Sequence, residues 1–313
     1  MSSLDPPPLL ARLVDDAAVF PPGLAPMRVA VAAHGEHRGA WYGEVIGPFL
    51  VPVLQLPSFE GALGEVADDR EALQVSLVAD RKAADPLPGL LAAVHRLGRR
   101  RDVDVAAVEV ALSPGPAQPQ RAQRLAAALD EDLPDGVQAW VEVNREDDVE
   151  QALAALAASP SQVRAKFRTG GTDAAAFPSA ELLGRVLGAA VDLSLPLKLT
   201  AGLHSAMPGT DPATGFAHHG FLTVLAAVAA AQDGASQADV VAVLQARDAS
   251  VVTGALEALE EDGCAAVRSV LRSFGCCGVR DPVDDLVRLG MLQVPAVEAT
   301  AGIAGSRQGE EVA

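Results

Sequence analysis

A chain of 313 residues, half of them hydrophobic, has the material for one large α/β core. Its formal net charge of -17 argues against nucleic acid, whose phosphates such a surface repels. It has no basic-then-apolar leader, no run of roughly 18 apolar residues that would suggest a membrane span, and three cysteines, too few for a disulfide framework; a cytoplasmic setting is expected.

Short β-like runs alternate with Ala/Leu-rich helical runs, the pattern of a parallel sheet covered by helices. In chain order, strands are expected at 11–18 (ARLVDDAA), 48–55, 73–80, 103–112, 137–144, 162–169, 196–203 and 267–275. Helices between them include 88–100, 118–130, 147–158, 179–191 and 219–232. Eight strand–helix units favour closure, so the fold class expected is a single (β/α)8 TIM barrel over 9–295, with 1–8 and 296–313 as disordered tails. The connection between the seventh and eighth strands, 205–266, is enlarged. It holds a Gly/Pro-rich loop (SAMPGTDPATG), the 219–232 helix and two further helices near 237–247 and 251–261, and serves either as a cover for the site or as outer packing.

The basic residues are skewed: 21 are Arg and three are Lys, at 82, 166 and 198. Lysine offers what arginine cannot, an amine able to lose its proton and act as a nucleophile. Side chains alternate along a strand, so parity separates barrel interior from helix-facing exterior. With Val163, Ala165 and Phe167 facing out, Arg164, Lys166 and Arg168 face in; with Leu197 and Leu199 out, Lys198 and Thr200 face in. The same alternation turns Gln138, Trp140, Glu142 and Asn144 inward, and Glu109 is assigned to the interior on one face with Val103, Val105 and Ala107. Adjacent strands lie about 4.8 Å apart, so Lys166 and Lys198 can approach; two cations in a poorly solvated site lower one pKa, freeing an amine to attack a carbonyl. The bland alternative is an ion-pair network, and pairing with Glu109 and Glu142 would raise the lysine pKa values instead.

At these residues the chain resembles the deoxyribose-phosphate aldolase family of class I, Schiff-base aldolases. Residues 166–170 read KFRTG against a Lys-x-x-Thr-Gly motif, 198–202 read KLTAG against Lys-x-Ser-x-Gly, and 274–278 read FGCCG near the last strand's Phe-Gly turn. The first strand's family Asp is echoed by Asp15 or Asp16. The resemblance implies a (β/α)8 barrel in which Lys166 forms the Schiff base and Lys198 lowers its pKa. It also implies a fourth-strand Asp in proton transfer, where this chain departs: Asp104 sits near the strand's start with parity opposite to Glu109, so Glu109 is the better physical candidate.

The expected catalytic set is Lys166, Lys198, Glu109, Glu142 and His204, the last directly after the seventh strand and able to serve as acid or base. The expected substrate-binding set is Asp16, Asn144, Arg168, Thr169, Gly170, Thr200, Gly202, Gly275 and Cys276, with Arg168 holding an anionic group. Asp281-Pro282 reads as an N-cap and first helical residue, making the turn after Gly275 a second anion candidate that Asp281 itself weakens. His218 and His219 are read chiefly as helix-start residues, and no zinc-binding spacing is present, so no metal or cofactor is expected. Cys276 and Cys277 suit turn packing or, less directly, a nucleophile. The function expected is a carbon–carbon lyase acting on a small carbonyl compound, anionic or phosphorylated. A metal-assisted isomerase or lyase and a non-catalytic anion-binding barrel are the rivals. A homo-oligomer stays open, since no exposed apolar stripe marks an interface.

Overall fold

The computed structural model describes residues 6–64, 71–145, 147–159 and 163–295. The chain forms a closed barrel of eight parallel strands: β1 (Val14–Asp16), β2 (Ile46–Pro52), β3 (Leu73–Val78), β4 (Val103–Ala111), β5 (Gln138–Val143), β6 (Val163–Arg168), β7 (Leu197–Thr200) and β10 (Leu271–Cys276). Two further strands, β8 (Gly209–Thr210) and β9 (Ala217–His218), make a small antiparallel ribbon between β7 and β10.

Among the described residues eleven α-helices accompany the strands: α1 (Met27–Gly39), α2 (Leu56–Leu63), α3 (Leu87–Leu97), α4 (Gln118–Asp132), α5 (Val149–Ala157), α6 (Ala180–Asp192), α7 (Phe221–Gln232), α8 (Gln237–Leu244), α9 (Ala249–Glu257), α10 (Glu261–Val270) and α11 (Arg280–Arg288). The main core lies between strands and helices, where Val108, Val141, Ala165, Phe167, Leu197, Leu199 and Phe274 are almost fully buried. Each large apolar side chain there contributes about 2–3 kcal/mol by leaving water. Between β7 and β10 the ribbon is followed by α7, α8, α9 and α10, with α7 packed against the other three and α6. Side chains start several helices: Ser179 Oγ accepts from Leu182 N at the head of α6, and a reciprocal Ser236–Asp239 capping box opens α8. Among the described residues one stretch, Ala174–Asp192, is long and apolar enough by composition to cross a membrane; within it, α6 buries Leu183, Val186, Leu187 and Ala190 in the barrel's outer layer.

Several boundaries differ from the sequence reading; β2 ends at Pro52 and β7 at Thr200. β1 is three residues long, because Arg12 takes a positive φ of 51° and Ala17 already belongs to the following loop. The run 267–275 divides at Val270: Val267 and Val270 are buried on α10, and only from Leu271 does the chain extend. Of the expected tails, 1–5 and 296–313 lie outside the described residues, while Pro6–Pro8 lead into the buried pair Leu9 and Leu10.

β4 contains a bulge that matters to the interior. Val75 pairs with Val105 but Ser76 pairs with Ala107, so Ala106 is an extra residue and the alternation changes phase there. Register partners share a face, so Asp104, Ala107 and Glu109 lie on one face with Gln74, Ser76 and Val78, interior at Ser76, Ala107 and Glu109 and exposed at Asp104, while Val103 and Val105 face the helices. The single-phase reading of β4 is corrected on this point: Glu109 is inward, but not with Val103 and Val105, and Asp104 shares its side at the far end.

Candidate active site

β6 and β7 pair in register so that Lys166 stands directly beside Lys198. Glu109 reaches both from β4: its Oε2 lies 2.6 Å from Lys166 Nζ, and its Oε1 accepts from Lys198 Nζ. Ser76 Oγ donates to the same Oε1 at 3.0 Å. Glu142, on β5, places Oε2 3.1 Å from Lys166 Nζ. On the other side Asp15 Oδ2 lies 2.5 Å from Lys198 Nζ and accepts from Ser273 Oγ at 2.8 Å. The result is a chain of alternating charge, Glu142–Lys166–Glu109–Lys198–Asp15, running across the barrel interior on five strands.

All five side chains are buried, and the Lys166 side chain, 6% exposed, is more open than that of Lys198 at 1%. Burial of unpaired charges on this scale costs several kcal/mol each, so the ring persists only because each charge has a partner. Burial alone would raise the glutamates; Lys166 and then Lys198 pull Glu109 down to about 2, and Lys166, Arg168 and Arg81 do the same for Glu142. Lys198 is held above the usual lysine range: burial acts against its charge, but Asp15 and Glu109 outweigh it. Asp15 is pushed up, by burial first and by the Glu109 charge, against the pull of Lys198, because two carboxylates share that one cation. At Lys198 the carboxylate partners, and not the neighbouring lysine, set the direction.

Arg168, at the end of β6, sets Nε 3.3 Å from Glu142 Oε1, which also accepts from Arg81 in the loop after β3. Thr200 is buried at the end of β7, and opposite it Gly275 leaves room: a Cβ there would stand 3.5 Å from Thr200 Oγ1 and from Leu50 Cδ1. Thr169 Oγ1 donates to the carbonyl of Ala201 at 2.5 Å, tying the ends of β6 and β7 together. Gly202 has φ of +79°, and a Cβ on Gly170 would come 2.6 Å from Gly202 Cα, so both glycines are needed for the close crossing of these loops. Thr169, Gly170 and Gly202 thus shape the mouth through its backbone.

Other sequence candidates lie elsewhere. Asp16 turns away from the lysines toward α1, where its Oδ2 meets His34 Nδ1 at 3.0 Å with both side chains buried. Asn144 Nδ2 donates to the carbonyls of Leu112 and Ser113 and so braces the β4–α4 loop. His204 forms a separate cluster: Nδ1 is 2.9 Å from Asp281 Oδ2 and 3.4 Å from Cys276 Sγ, and Nε2 is 3.5 Å from Cys277 Sγ. The two thiols, with Asp281 adding, hold this imidazole well above its usual range, while burial raises the Cys276 thiol. Asp281 lies in the first turn of α11, with Val279 as the capping residue, so it is not the N-cap its sequence suggested. His219 Nε2 bonds the Pro178 carbonyl at 2.9 Å, and burial keeps it below the usual range.

Sequence reasoning did not single out Arg81, Ser76 or Ser273. Ser76 carried a signal, the one hydroxyl in the run LQVSLV, whereas Ser273 follows an arginine in a run with a second serine and Arg81 is a loop residue without periodicity. A cavity of about 550 Å³ lined by Val19, Leu24, Met27 and Gln55 among others contains none of the ring residues. Among the described residues no three His, Cys, Asp or Glu side chains are grouped to hold a metal ion. No family model matches the chain, and a search of curated proteins finds no match.

Proposed function

We propose that this barrel is a Schiff-base-forming carbon–carbon lyase acting on a small carbonyl compound, with Lys166 as the amine. The observation that carries the reading is the pairing of two interior lysines, in a chain with three lysines in all, with carboxylates on both flanks of Lys166. Resemblance to the class I aldolases at KFRTG, KLTAG and FGCCG points the same way.

Lys166 must first give up its proton, and Glu109 and Glu142 are within direct reach of Nζ. Lys198, locked by Asp15 and Glu109, keeps its charge and opposes a second cation beside it. The free amine attacks the carbonyl carbon, and loss of water leaves an iminium. Cleavage of the bond between the α-carbon and the hydroxyl-bearing β-carbon sends its electron pair toward that iminium, giving an enamine. Glu142 or Glu109 takes the proton from the β-hydroxyl as the second carbonyl product forms. Protonation of the enamine carbon and hydrolysis then return Lys166.

Enamine formation exchanges protons beside the carbonyl, so ketones and aldehydes incubated in D₂O should lose their α-proton NMR signals in the presence of the protein. Lys166→Arg should abolish the exchange; exchange that persists in this variant would refute the reading. A second reading, a non-catalytic barrel stabilised by an ion-pair network, draws on the near-complete burial and pairing of Lys198. It predicts no exchange with any carbonyl.

A further inference from the structure

Among the described residues, the interior ring and its rim are not charge-balanced. Asp15, Glu109 and Glu142 face Lys166, Lys198, Arg81 and Arg168, three carboxylates against four cations. Arg145, in the loop after β5, adds a fifth cation: its Nη1 donates to the carbonyl of Ala175 in the loop after β6, and its guanidinium is pulled below the usual range by burial and then by Arg168. The excess is local and lies within a chain of net charge -17. It is also one-sided: the three guanidiniums come from the ends of β3, β5 and β6, whereas the β7–β10 side presents His204 already engaged by Asp281 and two thiols.

Glu142 is the one carboxylate, among the described residues, in ion-pair reach of Arg81 and Arg168, and it is shared with Lys166. The Arg81 and Arg168 side chains are 46% and 33% exposed, so they stand at the rim and not in the sealed core; Arg168 Nη1 also lies 3.4 Å from the Gly170 carbonyl. Guanidinium forks match planar carboxylates, and a positive rim on a low-dielectric barrel concentrates anions. Lys166 Nζ and Arg168 Nε approach opposite oxygens of the same Glu142 carboxylate, so an anion held by Arg168 would lie only a few bonds from a carbonyl carbon at Lys166.

We propose that Arg81, Arg145 and Arg168 form an anion subsite on the β3–β5–β6 side of the mouth, and that the substrate is a short carbonyl compound carrying a carboxylate next to or near its carbonyl. The inference rests on the Schiff-base reading for the fate of the carbonyl, while the anion subsite itself stands on the charges. It also places the anionic end away from the Gly275–Gly278 turn.

Calorimetric titration of the full chain with pyruvate and with methyl pyruvate tests this directly. At low salt pyruvate should bind roughly ten- to a hundredfold more tightly than its uncharged ester. The preference should shrink in about 0.5 M NaCl and disappear in the Arg81→Gln/Arg168→Gln double variant, with folding verified by circular dichroism. Equal affinity for acid and ester, no pyruvate binding at about 10 mM, or a preference unchanged in the folded double variant would overturn the proposal. Borohydride trapping in parallel separates the two claims. Equal labelling of Lys166 by acid and ester, with equal affinities, removes the anion subsite and leaves the Schiff base. Selective pyruvate binding without any adduct removes the Schiff base and leaves the subsite.

Discussion

Lys166 and Lys198 are register partners on β6 and β7, and one carboxylate, Glu109, bonds to both. That carboxylate is the keystone of the interior. Glu109→Gln keeps the shape but leaves two buried ammonium groups facing each other with less compensation. The variant should lose about 3–5 kcal/mol of stability in urea denaturation. A loss below about 1 kcal/mol, the range of an exposed pair, would show that the ring does not bear on stability.

Stability should also fall in acid, and the sign follows from the glutamates. Glu109 and Glu142 sit at about 2 in the folded chain against an ordinary 4.5. Their contribution is complete above the ordinary value and is lost as pH falls through the folded one, on the order of 3 kcal/mol for each at most. Asp15, pushed upward, acts in the opposite sense: its contribution is present at low pH and fades as pH rises through its folded value. The fall carried by Glu109 and Glu142 begins below pH 4.5 and is read in the urea midpoint between pH 5 and pH 2.5, with Asp15 opposing it. Glu142→Gln should flatten that fall; an identical pH profile in the variant would contradict the assignment.

How far this site could be read from sequence depended on the regularity of each strand. β6 and β7 alternate without interruption, so Lys166, Arg168, Lys198 and Thr200 were placed inward from parity alone. β4 alternates too, but Ala106 is an extra residue that no local pattern betrays, and parity carried across it misassigns everything before Ala107. The run 267–275, rich in Val, Leu and Phe, reads as a strand by composition, and only the burial of Val267 and Val270 on one face of α10 shows that its first residues are helical. Arg81 is in a loop, where orientation is set by its partner Glu142 and not by periodicity. The pairing of Lys198 with Asp15 depends on β1 lying beside β10, a consequence of barrel closure.

The loops at the mouth tolerate little. Gly202→Ala puts a Cβ 2.8 Å from the Thr169 carbonyl at a φ of +79°, and should cost about 2–4 kcal/mol through the positive φ and the clash together. Gly254→Ala, on α9 with open space around it, should instead gain up to about 1 kcal/mol. Thermal unfolding of the two variants side by side checks this; equal shifts would mean the crossing of the β6 and β7 loops is looser than its geometry.

The cysteines should separate in reactivity. Cys277 is half-buried with an imidazole nitrogen 3.5 Å from Sγ, while Cys276 and Cys264 are buried and their thiols pushed up by that burial. Iodoacetamide followed by peptide mass mapping should label Cys277 first, and His204→Gln should slow that labelling roughly tenfold by removing the neighbouring cation. Unchanged labelling in His204→Gln would show that the imidazole does not act on the thiol.

The central claim is a covalent one, that Lys166 forms a Schiff base. Its most direct test is borohydride reduction of the protein with small aldehydes and ketones, charged and uncharged, followed by intact mass and peptide mapping. A reduced adduct confined to Lys166, and absent from folded Lys166→Arg, is the result this account requires. A folded protein that binds such carbonyls yet yields no adduct at Lys166, or carries it on Lys198, would contradict it.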